Sequence, residues 1–130
     1  MLKTFEDLKG QTITNISVSY HYAAMIFTLD NGERYQLYHR QDCCEGVDIE
    51  DIAGDLDDLL NMPILLAEEV SNSDDPAKST TDDSYTWTFY KLSTNRGSVT
   101  IRWYGSSNGY YSESVDWCKL DSKGNTGYDY

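Results

Sequence analysis

Tyr85-Thr86-Trp87-Thr88-Phe89-Tyr90 and, beyond a turn at Thr94-Asn95-Arg96-Gly97, Val99-Thr100-Ile101-Arg102-Trp103-Tyr104 decide how this chain folds. Each stretch places a large apolar residue at every second position, the period that lets a strand show one face to a core and the other outward. A short Asn-containing turn between two such stretches predicts an antiparallel hairpin. The alternation predicts Trp87, Phe89, Ile101 and Trp103 on the buried face. Thr88, Tyr90, Thr100, Arg102 and Tyr104 then line the opposite face, with Arg96 at one turn and Asn108, Tyr110 and Tyr111 at the next.

Outward from this hairpin, Ser107-Asn108-Gly109 turns the chain into a further strand-like segment, 110–117, and 121–130 is a Gly, Asn and Asp tail that reads as loose. Upstream, 71–84 has no apolar periodicity and is dominated by turn formers and acids, so it reads as a loop, preceded by a strand at 64–70. The opening is a meander. Strands are expected at 11–20, 23–29 and 34–39, the last two joined through Asn31-Gly32, a pair suited to the positive φ of a tight hairpin.

Between the meanders the period changes. Ile49, Ile52, Ala53, Leu56, Leu59 and Leu60 fall on one face of a helix over 48–60, with Asp48 as N-cap and Pro63 just beyond its end. Glu50, Asp51, Asp55, Asp57 and Asp58 occupy the other face, and Gly54 inside the segment points to close approach of a neighbouring backbone or to simple tolerance. The expectation is therefore an α+β fold: a mostly antiparallel sheet of about six or seven strands in two meanders, with one amphipathic helix packed on one face. Residues 1–120 are expected to form a single domain and 121–130 a tail.

The 130 residues include 22 acidic and 10 basic side chains, a net charge of −12. Such an excess repels DNA, RNA and anionic lipid, while screening over about 8 Å leaves room for a small anion in a local arginine pocket. The three cysteines, two of them adjacent, fit a reduced cytoplasmic protein. No window approaches the roughly 18 apolar residues of a membrane span, and the first residues carry no apolar signal segment.

His39-Arg40-Gln41-Asp42-Cys43-Cys44-Glu45 is the most metal-like string, but adjacent cysteines rarely point at one tetrahedral centre. We expect neither metal nor cofactor. No nucleophile elbow, zinc-protease helix motif or phosphate-binding glycine loop occurs, so catalytic residues are not assigned and the chain reads as a non-enzyme. Arginines framed by tyrosines on a rigid sheet suit a ligand that is part aromatic base and part phosphate. Tyr90, Arg96, Arg102, Tyr104, Asn108 and Tyr110 are the expected ligand-binding residues, on a surface that also suits contact between copies of the chain. The alternative is an acidic inhibitor that mimics nucleic acid and masks a nucleic-acid-binding host protein through Glu50, Asp51, Asp55, Asp57 and Asp58. A further alternative is a thiol or metal enzyme centred on His39 and Cys43.

Asp42-Cys43-Cys44-Glu45, Thr86-Trp87-Thr88-Phe89-Tyr90-Lys91, Glu50-Asp51-Ile52-Ala53-Gly54-Asp55-Leu56 and the run Arg102-Trp103-Tyr104-Gly105-Ser106-Ser107-Asn108-Gly109-Tyr110-Tyr111-Ser112 resemble a family of small phage and prophage proteins. That family is a domain of unknown function, and the likeness covers about 29–115. The chain also looks like the phage sponges that trap the cyclic ADP-ribose signal of Thoeris immunity. The resemblance implies a counter-defence setting in which a nucleotide-derived signal is sequestered or a host defence protein is blocked.

Overall fold

The computed structural model describes residues 2–73, 76–78, 82–109 and 111–120. The predicted tail, 121–130, and Tyr110 lie outside them. The fold is built from eight strands: β1 (Ile13–Val18), β2 (Ala24–Leu29), β3 (Arg34–Tyr38), β4 (Gly46–Ala53), β5 (Leu66–Asn72), β6 (Ser84–Thr94), β7 (Gly97–Ser107) and β8 (Asp116–Lys119). They form two antiparallel four-stranded sheets, ordered β1-β2-β3-β8 and β4-β7-β6-β5. The opening meander and the β6–β7 hairpin are where the alternation places them.

One sheet of six or seven strands with a helix on its face is not what forms. Each sheet has an apolar face, and each covers the other's: the buried cluster joins Phe27, Tyr35 and Leu37 of the first sheet to Ile49, Tyr90, Ile101 and Trp103 of the second. Phe5 is the wedge between them. It sits on a short 3₁₀ helix, Phe5–Leu8, whose start is tied by the Asp7 carboxylate accepting from the Lys3 and Thr4 amides. Its ring meets Phe27 at 6.2 Å and Tyr90 at 4.7 Å.

The predicted helix over 48–60 is strand β4 followed by a second 3₁₀ helix, Leu56–Leu59. A β-bulge explains the misleading period. Ile49 pairs with Trp103 and Asp51 with Arg102, so Glu50 is the extra residue on its strand. The insertion returns Ile52 to the same face as Val47 and Ile49, giving the three-residue spacing of a helix to an extended segment. Asp48 is thus not a helix cap; Asp55 caps the 3₁₀ helix, accepting from the Asp57 amide.

Register also corrects which residues share a face. Trp87 pairs with Tyr104, Thr88 with Trp103, Phe89 with Arg102 and Tyr90 with Ile101, and partners directly opposite in an antiparallel pair point the same way. Thr88, Tyr90, Ile101 and Trp103 therefore face the core and are buried. Trp87 and Phe89 join Arg102 and Tyr104 on the outer face. The last strand is likewise not a continuation of the second meander: β8 crosses back to pair with β3, where Trp117 stacks on Tyr35 at 5.2 Å.

Candidate ligand-binding face

Five aromatic and cationic side chains converge on the outer face of the second sheet. Trp87 meets Tyr104 edge-on at 4.7 Å, and Tyr85 stacks on Tyr104 at 5.9 Å. The Arg102 guanidinium lies over the Trp87 ring at 5.2 Å, and its Nε pairs with Asp51 across the bulge in β4. Residues 76–78 cross this face: Trp87 Nε1 donates to the Pro76 carbonyl at 3.0 Å, and the Lys78 amide donates to Tyr104 Oη at 3.2 Å. The Lys78 ammonium sits 5.5 Å over the Tyr104 ring and reaches Glu50 at 2.5 Å.

A cleft of about 250 Å³ opens beside Tyr104, bounded by Gly46, Asp48, Glu50, Lys78, Asp82 and Ser106. Burial and the hydrogen bond to Asp82 push the Tyr104 phenol up to about 12, so it remains a donor at neutral pH. Burial also raises the Asp48 carboxyl. Both ion pairs are wet: Arg102 and Asp51 side chains are 41% and 45% exposed, Lys78 and Glu50 46% and 32%. Pairs so exposed contribute at most about 1 kcal/mol each, so a ligand can exchange them cheaply.

Of the six expected ligand residues, the structure brings Arg102 and Tyr104 together. Tyr90 is in the core, where burial raises its phenol and Glu69 accepts its hydrogen bond. Arg96 sits in the β6–β7 turn and Asn108 beyond β7, at opposite ends of the hairpin. Lys78, Asp82, Trp87 and Asp48 were missed. Lys78 carries a signal in the sequence, as the one basic residue in the acidic loop 71–84. Among the residues of the acidic alternative, Glu50 and Asp51 are on β4, an edge strand, and are engaged by Lys78 and Arg102. Asp55 and Asp57 are exposed, and Asp58 is half-buried beside Gly97.

His39 and Cys43 do not form a catalytic pair. His39 Nδ1 donates to the Ser114 carbonyl at 2.7 Å and Nε2 meets the Glu45 carboxylate at 2.9 Å, so both ring nitrogens are taken. Cys43 is joined to Cys44 by a disulfide, which corrects the expectation of free thiols there. The loop turns tightly about the Glu45 carboxylate, which accepts from the Asp42 and Cys43 amides, and this brings the neighbouring side chains together. Cys118 is the free cysteine.

Burial alone would push the Glu45 carboxyl up, but the bonds from His39 and from the Cys43 and Asp42 amides outweigh it and bring it down to about 2, against an ordinary 4.5. A depressed folded-state value stabilises the fold above pH 4.5, and that stabilisation disappears as pH falls towards 2. Urea midpoints measured at about pH 5 and about pH 3 should therefore differ more in the wild type than in Glu45→Gln. Equal acid sensitivity in the two proteins would remove Glu45 from the acid response.

Residues 6–117 match a domain of unknown function (DUF7448). The chain belongs to the DUF7448 family. No curated protein and no solved structure matches it. The DUF7448 region takes in β1 to β7, so the outer face and its cleft lie within it. Among the described residues of this DUF7448 chain, no group of three or more His, Cys, Asp or Glu side chains is placed to hold a metal ion, and no helix is long and apolar enough to cross a membrane.

Proposed function

We propose that this protein is a non-enzymatic binding protein for a nucleotide-derived ligand, taken on the outer face of the second sheet. The observation that carries this reading is the cleft beside Tyr104, lined by Lys78, with Arg102 on the same face of the sheet over Trp87, both cations being held in exchangeable ion pairs. The nucleobase enters the cleft, where Asp48, Glu50 and Asp82 offer acceptors to exocyclic amines. The phosphates draw Arg102 and Lys78 away from Asp51 and Glu50. This division of labour suits an anionic ligand to a chain of net charge −12, because the carboxylates meet the base rather than the phosphate. The setting we attach to it, phage counter-defence by withholding a signal from the host, comes from the resemblance of the sequence motifs.

Calorimetric titration with cyclic ADP-ribose and linear adenine nucleotides tests the reading. Roughly micromolar binding is expected, weakened at least about tenfold by Arg102→Ala and by Lys78→Ala. Absence of heat with every nucleotide, or binding indifferent to both substitutions, overturns it. A second reading, masking of a basic host protein, rests on β4 being an edge strand with exposed acids. It requires that Asp55→Lys with Asp57→Lys abolish salt-sensitive capture of that protein, and it fails if capture survives.

A further inference from the structure

The other face of the second sheet carries a groove that the outer cleft does not explain. It measures about 370 Å³ and is lined by Glu69, Ser71, Thr86 and Thr88 of β5 and β6 and by residues 111–115. Glu69 is paired with Tyr90 and Ser71 with Thr88, so these side chains continue the core face of the sheet, which changes from apolar to hydroxyl-bearing at this end.

The wall at 111–115 is fixed by three separate ties. The Glu113 carboxylate accepts from the hydroxyls of Thr86, at 2.8 Å, and Ser107, at 2.5 Å. The Ser114 carbonyl accepts from His39 at 2.7 Å. The Glu113 backbone presses so closely on β7 that a Cβ at Gly105 would lie 2.6 Å from its carbonyl oxygen. The groove is thus held open before any ligand arrives, which lowers the ordering cost of binding.

Its chemistry has one sign. Two carboxylates, Glu69 and Glu113, line it, and among the described residues that line it there is no lysine, arginine or histidine. Thr86 gives its hydroxyl hydrogen to Glu113 and so meets a ligand as an acceptor, while the Ser71 and Thr88 hydroxyls share one hydrogen bond at 3.3 Å and keep oxygen lone pairs free for a donor. Two carboxylates among hydroxyl oxygens favour a cationic donor, and a chain of net charge −12 draws cations towards them.

We infer that this groove binds the primary ammonium group of a small aliphatic ligand, with Glu69 as the counter-ion and the hydroxyl oxygens of Ser71, Thr86 and Thr88 as acceptors. Partial burial, and then the neighbouring Glu6 carboxylate, raise the Glu69 carboxyl, so a cation beside it relieves both. Glu113, whose two oxygens are already occupied, adds field rather than a contact. A polyamine and an amino sugar both carry such an ammonium, and the chemistry at Glu69 is the same for both.

Calorimetry on the full chain with spermidine, with glucosamine and with the neutral N-acetylglucosamine tests this. Binding of spermidine, glucosamine or both is expected, the pattern naming the source, with no binding of N-acetylglucosamine. Glu69→Gln should weaken it at least about tenfold, and Asp57→Asn, which removes the same charge from an exposed site elsewhere, should leave it unchanged. Arg102→Ala should also leave it unchanged, which separates this site from the outer cleft. Thr86→Val provides a second variant that removes an acceptor without altering charge, and it too should weaken binding. No binding of either amine, equal binding of the neutral sugar, or equal loss in Glu69→Gln and Asp57→Asn overturns the inference, the last because it marks diffuse charge attraction.

Discussion

Trp103→Ala is expected to remove about 3–5 kcal/mol of stability, a large share of what a domain of this size possesses. Trp103 is fully buried in the cluster shared by the two sheets, opposite Thr88 on β6 and Ile49 on β4. Truncation there opens a cavity that strands paired on both sides cannot collapse to fill. Its indole N–H has no hydrogen-bond partner among the described residues. A buried donor left unsatisfied costs about 1–3 kcal/mol, so Trp103→Phe gives back part of what its smaller volume loses. Chemical denaturation should place Trp103→Phe well above Trp103→Ala; near-equal losses would mean that the indole nitrogen is satisfied after all.

Gly54→Ala should cost about 2–4 kcal/mol, although it adds a single methyl group. Gly54 follows β4 with φ of +108°, and a Cβ there would stand 2.5 Å from the Ser98 carbonyl oxygen and 3.2 Å from Val99 Cα. Those atoms are backbone of β7 and cannot swing aside. Gly32, with φ of +88°, has nothing within 4 Å of its own Cβ position. Gly32→Ala therefore carries the conformational cost alone and is the control. Urea midpoints for the two variants measure the difference, and equal losses would show that β7 does not crowd Gly54.

The sequence carried the strands well and their assembly poorly. Alternation at 11–20, 23–29 and 34–39 and in the β6–β7 hairpin is a local property of neighbouring residues, and it survives into the fold. Which phase of β6 faces inward is not local. Trp87 and Phe89 are as apolar as Tyr90, so period two alone cannot choose, and the choice is made by register against β7. The bulge at Glu50 hid a strand behind a helical period for the same reason, since an extra residue on one strand is defined only by its partner. Of the two readings open for Gly54, close approach of a backbone or simple tolerance, the structure shows the first, although the element around it is not the expected helix.

The candidate site was legible in part. Arg102 and Tyr104 were found because two residues apart on a strand they share a face. Tyr90 was lost to the phase error and Arg96 to distance along the hairpin. Lys78 depends on a contact made 26 residues away, from its amide to the Tyr104 hydroxyl, and no pattern of short range encodes that.

The return of β8 to β3 has a consequence for how the molecule comes into being. Residues 24–38 emerge from the ribosome long before their neighbour at 116–119, so during synthesis the rim of β3 stays bare while the whole second sheet is still being made. Bare rims recruit other strands. For a nascent chain, the interval before Trp117 arrives therefore leaves that rim open to mispairing, since β8 is the last of the described strands to be made.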